Sequence, residues 1–293
     1  MKSLKLILVF FSLTALFLII FSCSEKTDNP LRTSNIGILE QPQIGDNGGL
    51  YRMTPVEPFI PIVVRTIKWR APQVGLMGGL GIAYDGRLFW LGGGACPWDP
   101  SHGHFYGVNF CPSEEKHFTS IYGNSGLAWD GNYLWASSYY CDDPGRPPRI
   151  YKISTNGQVI SYFNTSFLAT GLDWDGQYLW AIDYWARSFK KFNSSGIVID
   201  SVIPEIPGNS PLVGLAYDGN YFWCSNNGKI YKISQEGSIL QSFNQPGATV
   251  CDLAWCGQCL LILDNSSGYN TIFVVQVSKC NCPLNVFEYN SID

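Results

Sequence analysis

Charge is what this chain has least of. Only 14% of its 293 residues are charged, the net charge is −4, and no Lys/Arg run interleaves with aromatic residues. That argues against nucleic acid as a partner. With 46% hydrophobic residues the same composition leaves little for a disordered tail and ample material for a core. An amphipathic helical pattern of useful length is also missing beyond residue 23, which argues against helical and α/β architectures. No Ser-His-Asp order is discernible, so nothing points to a hydrolase triad.

What the chain does have is one phrase repeated. GIAYDGRLFW occupies 81–90, GLAWDGNYLW 126–135, GLDWDGQYLW 171–180 and GLAYDGNYFW 214–223, and a worn copy, DLAWCGQCLL, occupies 252–261. A catalytic motif occurs once per active site, whereas a structural unit recurs with every copy of itself. A period of about 40–45 residues is therefore read as architecture. Within one unit, GLAW is a short apolar strand and Asp130-Gly131 marks a tight hairpin. YLWASSY runs back, RIYKIS alternates as a third strand, and QVISYF follows the turn TNG as a fourth. FKKFNSSGIVIDSV and KIYKISQEGSILQSF repeat the second half of the pattern.

Four antiparallel strands per unit, repeated with aromatics, predict an all-β fold: a five-bladed β-propeller spanning residues 59–293. PIVVRTIKW (61–69) reads as the fourth strand of the last blade and would join chain start to chain end. LNVFEYN (284–290) competes for that slot, and six blades is the alternative count. The recurring aromatics, Tyr84, Trp129, Trp174, Tyr217 and Trp255 with Trp90, Trp135, Trp180 and Trp223, are assigned to the wedges between blades. Asp85, Asp130, Asp175 and Asp218 are assigned to turns, not to catalysis.

The N-terminus is set apart from this body. Lys2 and Lys5 precede an uncharged apolar run from Leu6 to Phe21, which predicts a signal peptide over 1–22. A transmembrane anchor is the competing reading of that run. LIIFSCSEK (18–26) resembles a bacterial lipobox, with Ile20 at −3 and Ser22 at −1 of Cys23. The resemblance implies lipidation of Cys23 and an exported lipoprotein, lipid-anchored to a membrane. Ser24 in place of Asp implies the outer membrane, on its periplasmic or cell-surface side. Residues 23–58 are polar, Pro- and Gly-containing and without period, a flexible tether.

Function is expected in the connections between second and third strands, which vary while the DG turns do not. The first offers Trp98 and Asp99, with His102 and His104 nearby. The second offers Tyr139, Tyr140, Asp142 and Arg146, and the third Asp183, Tyr184, Trp185 and Arg187. Aromatic faces beside carboxylates, amides and Arg suit a sugar ring or a peptide. A glycan or peptide ligand is expected, on a monomer, with no cofactor. His102-x-His104 has only Asp99 as a close third ligand, so no metal is assigned. Asp173 stands where the other copies have Ala, and with Asp183, Asp142 or Asp264 it forms the one acid/base candidate. No Glu lies in those loops of blades two, three or five, so glycosidase chemistry is poorly supported.

Ten cysteines in an exported chain point to disulfides. Cys96 and Cys111 bracket the first-blade insertion. Cys256-x-x-Cys259 and Cys280-x-Cys282 fall in turns on one side of blade five, as two disulfides or as a four-thiolate zinc site. Cys224, after a core Trp, reads as a buried thiol.

The DGxYLW copies resemble two known groups. One is the secreted bacterial propellers with YVTN- or NHL-like repeats, mostly binding or scaffold proteins. The other is the five-bladed glutaminyl-peptide cyclotransferase family. That likeness implies cyclisation of N-terminal glutamine in a central pocket without a redox cofactor, and it makes an aminoacyltransferase the alternative to a binding protein. The family carries an acidic residue just after the second strand of an early blade. Here that stretch is LGGGACPW, so no catalytic residue is carried over.

Overall fold

The computed structural model describes residues 59–70, 81–93, 103–121, 124–138, 147–265 and 270–277. All of them lie in one compact unit, Lys26–Cys282. The signal peptide, Cys23, the whole tether and the segment 284–290 fall outside the described residues.

Among the described residues, twenty strands form five antiparallel four-stranded sheets arranged as the blades of a propeller. Blade one is β2 (Gly81–Tyr84), β3 (Phe89–Gly93), β4 (His104–Val108) and β5 (Glu114–Thr119). Blade two is β6 (Asn124–Trp129), β7 (Leu134–Ser138), β8 (Arg149–Ile153) and β9 (Val159–Asn164). Blade three is β10 (Ala169–Trp174), β11 (Leu179–Asp183), β12 (Ser188–Phe192) and β13 (Val198–Val202). Blade four is β14 (Val213–Tyr217), β15 (Phe222–Asn226), β16 (Lys229–Ile233) and β17 (Ile239–Asn244). Blade five is β18 (Val250–Trp255), β19 (Cys259–Asp264) and β20 (Asn270–Gln276), completed by β1 (Ile62–Trp69). The first strand of the domain thus closes the last blade, paired from Ile62 opposite Gln276 to Trp69 opposite Asn270 with a bulge between Val63 and Arg65. The count is five, and 61–69 occupies the closing slot.

Each blade opens on a turn that the repeat itself encodes. In blade two the Asp130 N–H donates to the Tyr133 carbonyl at 3.1 Å, leaving a two-residue loop. Gly131 takes the positive φ of 96° at the first loop position, where a side chain would be strained. Asp130 precedes that loop, so its value lies in its carboxylate and not in tolerance of positive φ. Oδ1 accepts the N–H groups of Asn132 and Tyr133, and Oδ2 accepts the Trp135 indole N–H at 2.9 Å. The Lys152 ammonium reaches the same Oδ2 at 2.8 Å and lies over the Tyr133 and Trp135 rings. Asp175, Trp180 and Lys191 repeat this clamp in blade three, and Asp218, Trp223 and Lys232 in blade four. Burial alone would raise the Asp130 carboxyl. Lys152, the two backbone N–H groups and the indole outweigh it and hold the group below its ordinary value. These aspartates are committed to the frame.

The clamped tryptophans fill the wedges. Trp90 packs among Leu127, Leu134 and Ala136 of blade two, and Trp135 among Leu172, Leu179 and Phe192 of blade three. Trp180 meets Leu215 and Phe222, and Trp223 meets Leu253, Leu260 and Ile262. Leu261 and Leu263 of blade five join Ile82, Phe89 and Leu91 of blade one in the fifth wedge. Five wedges between five blades account for the core. The other aromatic set, Tyr84, Trp129, Trp174, Tyr217 and Trp255, is only half-buried and caps the wedges at the turn side.

Candidate functional site

The innermost strands β2, β6, β10, β14 and β18 touch in a closed ring around the axis. They approach so closely that the repeat's leading glycine is obligatory. A Cβ on Gly171 would lie 2.7 Å from the Leu215 nitrogen, and one on Gly126 2.9 Å from the Gly171 Cα. The fifth copy breaks the rule with Asp252. Its side chain is 0% exposed and its two oxygens gather backbone N–H groups from around the ring. Oδ2 accepts from Ile82 at 3.0 Å and Leu127 at 3.2 Å; Oδ1 accepts from Leu253 at 2.9 Å and Leu215 at 3.4 Å. Four blades therefore share one carboxylate. Burial pushes Asp252 well above the ordinary carboxylate range, against the pull of those four donors. Sealed on the axis, it has no open oxygen for a substrate, so its work is structural. Nothing in the sequence reading singled it out, although Asp in place of the leading Gly was visible in DLAWCG.

Asp173 faces the interface of blades three and four. Its Oδ1 accepts the Trp174 N–H at 2.8 Å, and Oδ2 accepts the Tyr217 N–H of the next blade at 2.5 Å. The residue is half-exposed but the carboxylate is enclosed, and burial raises its pKa to about 7. It does not meet Asp183 or Asp264 in a hydrogen bond. Asp183 is buried and its Oδ1 accepts the N–H groups of Trp185 at 3.2 Å and Ala186 at 3.0 Å. Asp264 is buried too, with Oδ2 accepting the Thr249 N–H at 2.6 Å. Each carboxylate is spent on a different stretch of backbone. Asp142, the third candidate partner of Asp173, lies outside the described residues.

The loop after β11 is the part of the expected ligand face that is described. Asp183 pins its base, and the Tyr184 N–H donates to the Leu168 carbonyl at 3.0 Å. Arg187, at a φ of 51°, donates through Nη2 to the Ile206 carbonyl at 3.0 Å and through Nη1 to that of Gly208. Bound at both ends, the loop holds Trp185 out at 77% exposure, with the Tyr184 ring edge-on at 4.7 Å. Among the described residues, Arg187 Nε and Ser188 Oγ are buried with no hydrogen-bond partner. Of the ten residues expected to touch a ligand, Trp185 and Tyr184 are presented, while Asp183 and Arg187 brace them. Trp98, Asp99, Tyr139, Tyr140, Asp142 and Arg146 lie outside the described residues.

His104 is buried and shares a 3.0 Å ring-nitrogen contact with His117 on β5, the two rings stacked at 5.2 Å. Register across β4 and β5, not spacing along the chain, brings that pair together, so His117 carried no signal of its own. Among the described residues no group of three or more metal-ligating side chains assembles. Cys111, Cys224, Cys251, Cys256 and Cys259 are free thiols, and Cys224 is buried as expected. Cys96, Cys280 and Cys282, needed for the expected disulfides, lie outside the described residues.

Fold and site together define a five-bladed propeller with a rigid, polar-clamped frame and an aromatic loop on one face. No protein-family model and no curated protein matches the sequence. Among solved structures, a glutaminyl cyclase from Myxococcus xanthus matches with a TM-score of 0.56 at 13% identity, covering 74% of this chain and 95% of that one. Hydrazine synthase from Kuenenia stuttgartiensis follows at 0.40 and 11%, covering 65% and 56%. A Bacteroides caccae protein of unknown function stands at 0.41 and 12%, covering 63% and 70%. The likeness to the cyclase is one of fold.

Proposed function

We propose that this propeller is a ligand-binding module, displayed on an exported, Cys23-anchored lipoprotein, that takes a glycan or a peptide on the face carrying the 184–187 loop. The observation that carries the reading is Trp185. A large aromatic ring held in water has an unfavourable hydration to relieve, and here the loop beneath it is fixed at both ends. Trp185 and Tyr184 supply apolar faces, and the nearby polar backbone supplies orientation. Trp98, Asp99, Tyr139, Tyr140, Asp142 and Arg146 extend the same face from blades one and two in this reading.

Glutaminyl cyclisation is the second reading, and the shared five-bladed fold favours it. Against it stands chemistry: β3 ends at Gly93, and Asp183 and Asp252 are occupied by backbone donors. Titrating Trp fluorescence with defined oligosaccharides and peptides tests the first reading, with Trp185→Ala expected to abolish any response. Turnover of a Gln-initiated peptide to its pyroglutamyl form would overturn it in favour of the enzyme. For the anchor, Cys23→Ala is expected to abolish fatty-acid labelling; persistent labelling refutes the lipid attachment.

A further inference from the structure

The turns between first and second strands in blades one to four are carboxylate cradles. In each, Asp Oδ1 accepts the N–H groups two and three residues on, at 2.6–3.0 Å. Blade five keeps the cradle and changes the occupant. Cys256 N–H still donates to the Cys259 carbonyl at 3.0 Å, and Gly257 still takes a positive φ of 84°. A sulfur now stands where the carboxylate stood: the Cys256 thiol donates to the Cys259 carbonyl at 3.1 Å and lies beside the Gln258 and Cys259 N–H groups, which its thiolate would accept. Cys259 replaces the ring or Leu that follows the loop elsewhere and is buried, whereas Cys256 is half-exposed beside the open Gly257 and Gln258. The remaining parts of the clamp are gone. Leu261 stands for the Trp, and Val274 opposite it stands for the Lys.

We propose that Cys256 and Cys259 form a thiol–disulfide exchange site acting on disulfide-bearing peptides or small molecules. Cys256 thiolate attacks one sulfur of the substrate disulfide, forming a mixed disulfide and releasing the other half as a thiolate. Cys259, on losing its proton, attacks the Cys256 sulfur, closes the Cys256–Cys259 disulfide and releases the second half. Two electrons pass from the dithiol to the substrate, which leaves as two thiols. The Cys256 N–H bonds to the Cys259 carbonyl across a two-residue loop, and a turn of that kind keeps its end Cα atoms within about 7 Å, close to the span a disulfide bridges. The division of labour follows from the environment. The Cys259 thiol, with the cradle's N–H groups, holds Cys256 below its ordinary value despite burial, and the same contact with burial pushes Cys259 up. Tyr84 of blade one is the titratable neighbour across the wedge.

The test uses the reduced mature protein, glutathione disulfide and mass spectrometry. At pH 7, Cys256 is expected to alkylate about tenfold faster than Cys259, as a thiolate-stabilising site requires. Cys259→Ser is expected to accumulate glutathione on Cys256, whereas the parent resolves to the 256–259 disulfide. Cys256→Asp restores the turn of the other blades, so it is expected to fold as the parent and take up no glutathione at this turn. Equal alkylation rates would overturn the proposal. So would disulfides joining either residue to Cys280 or Cys282, or zinc retained stoichiometrically through chelation.

Discussion

Replacing Asp252 by Asn changes one oxygen to an amide and almost nothing in size, yet it is expected to be severe. The carboxylate receives two N–H groups on each oxygen: Ile82 and Leu127 on one, Leu253 and Leu215 on the other. An Asn side chain can face only one of those pairs with its oxygen. Its NH₂ then points at two N–H donors in a site from which water is excluded. Each orphaned buried N–H costs about 1–3 kcal/mol, so the change is expected to cost about 2–6 kcal/mol. For a domain of this size that is a fall in Tm of about 5–20 °C. Asp252→Ala should be no milder, since it leaves the donors of all four blades without an acceptor. Calorimetry at pH 5 and pH 8 adds a second check. Because burial raises the Asp252 pKa, the folded state holds that proton more tightly than the unfolded chain does. Its contribution is therefore fully present below about pH 4 and is lost as pH rises through the folded value. Asn has no such titration, so the gap between parent and variant should narrow towards pH 8. An Asn variant melting within about 1 °C of the parent would refute the idea that the axis depends on this acceptor.

Trp180→Ala should cost about 3–5 kcal/mol, since the ring fills the wedge beside Leu215 and Phe222, while Trp185→Ala should leave the melting curve nearly unchanged. The reverse order would invert the assignment of frame and face. Asp173, raised to about 7, should make the parent lose stability as pH climbs from about 4 to 7. Asp173→Ala, which restores the residue of the other copies, should flatten that part of the denaturation-versus-pH profile, and an unchanged slope would deny the enclosed carboxyl. Deleting 59–69 removes β1 and exposes the edge of β20, so urea unfolding should shift to much lower concentration. A truncated chain as stable as the parent would mean that another segment can take the slot.

Much of the fold was legible because each copy carries its own instructions. The turn, the alternation and the Trp recur with every blade, so the architecture could be read from one unit and multiplied. Closure was legible by subtraction: blade five lacked a fourth strand and 61–69 lacked a blade. The Lys of RIYKIS, FKKF and KIYKIS was in plain view at one fixed place per unit. Its meaning was not, because the partners Asp130 and Trp135 come from a different strand and meet it only through sheet register. His117 was hidden for the same reason. Asp252 was hidden differently: a fifth copy that departs from four others reads as decay until the axis shows what the departing residue touches. The ligand face is the least legible part, since a loop's sequence says which side chains are available but not which are consumed in holding the loop. Asp183 and Arg187 were expected beside Trp185 as contacts, and their hydrogen bonds run to backbone instead.

The departures from the repeat follow a physical division. A position identical in every copy meets the same surroundings five times, so it can only serve the common frame. A position that changes in one copy is supported by neighbours that did not change, which is why a singular residue can be tolerated there. Blade five shows how far this goes. It has no Asp–Trp–Lys clamp, yet every residue of β19 is buried and β20 is paired on both sides, by β19 and by the incoming β1. Apolar burial and the joining of the chain ends carry the stability that the clamp carries in blades two to four. Its first turn is therefore released from structural duty, and that is where the thiols stand. Asp252 lies on the innermost strand of the same blade, where a residue bonded to three other blades ties the least clamped unit to the rest. The blade that lost the most of the repeat's polar frame is thus the one that binds the ring at its centre.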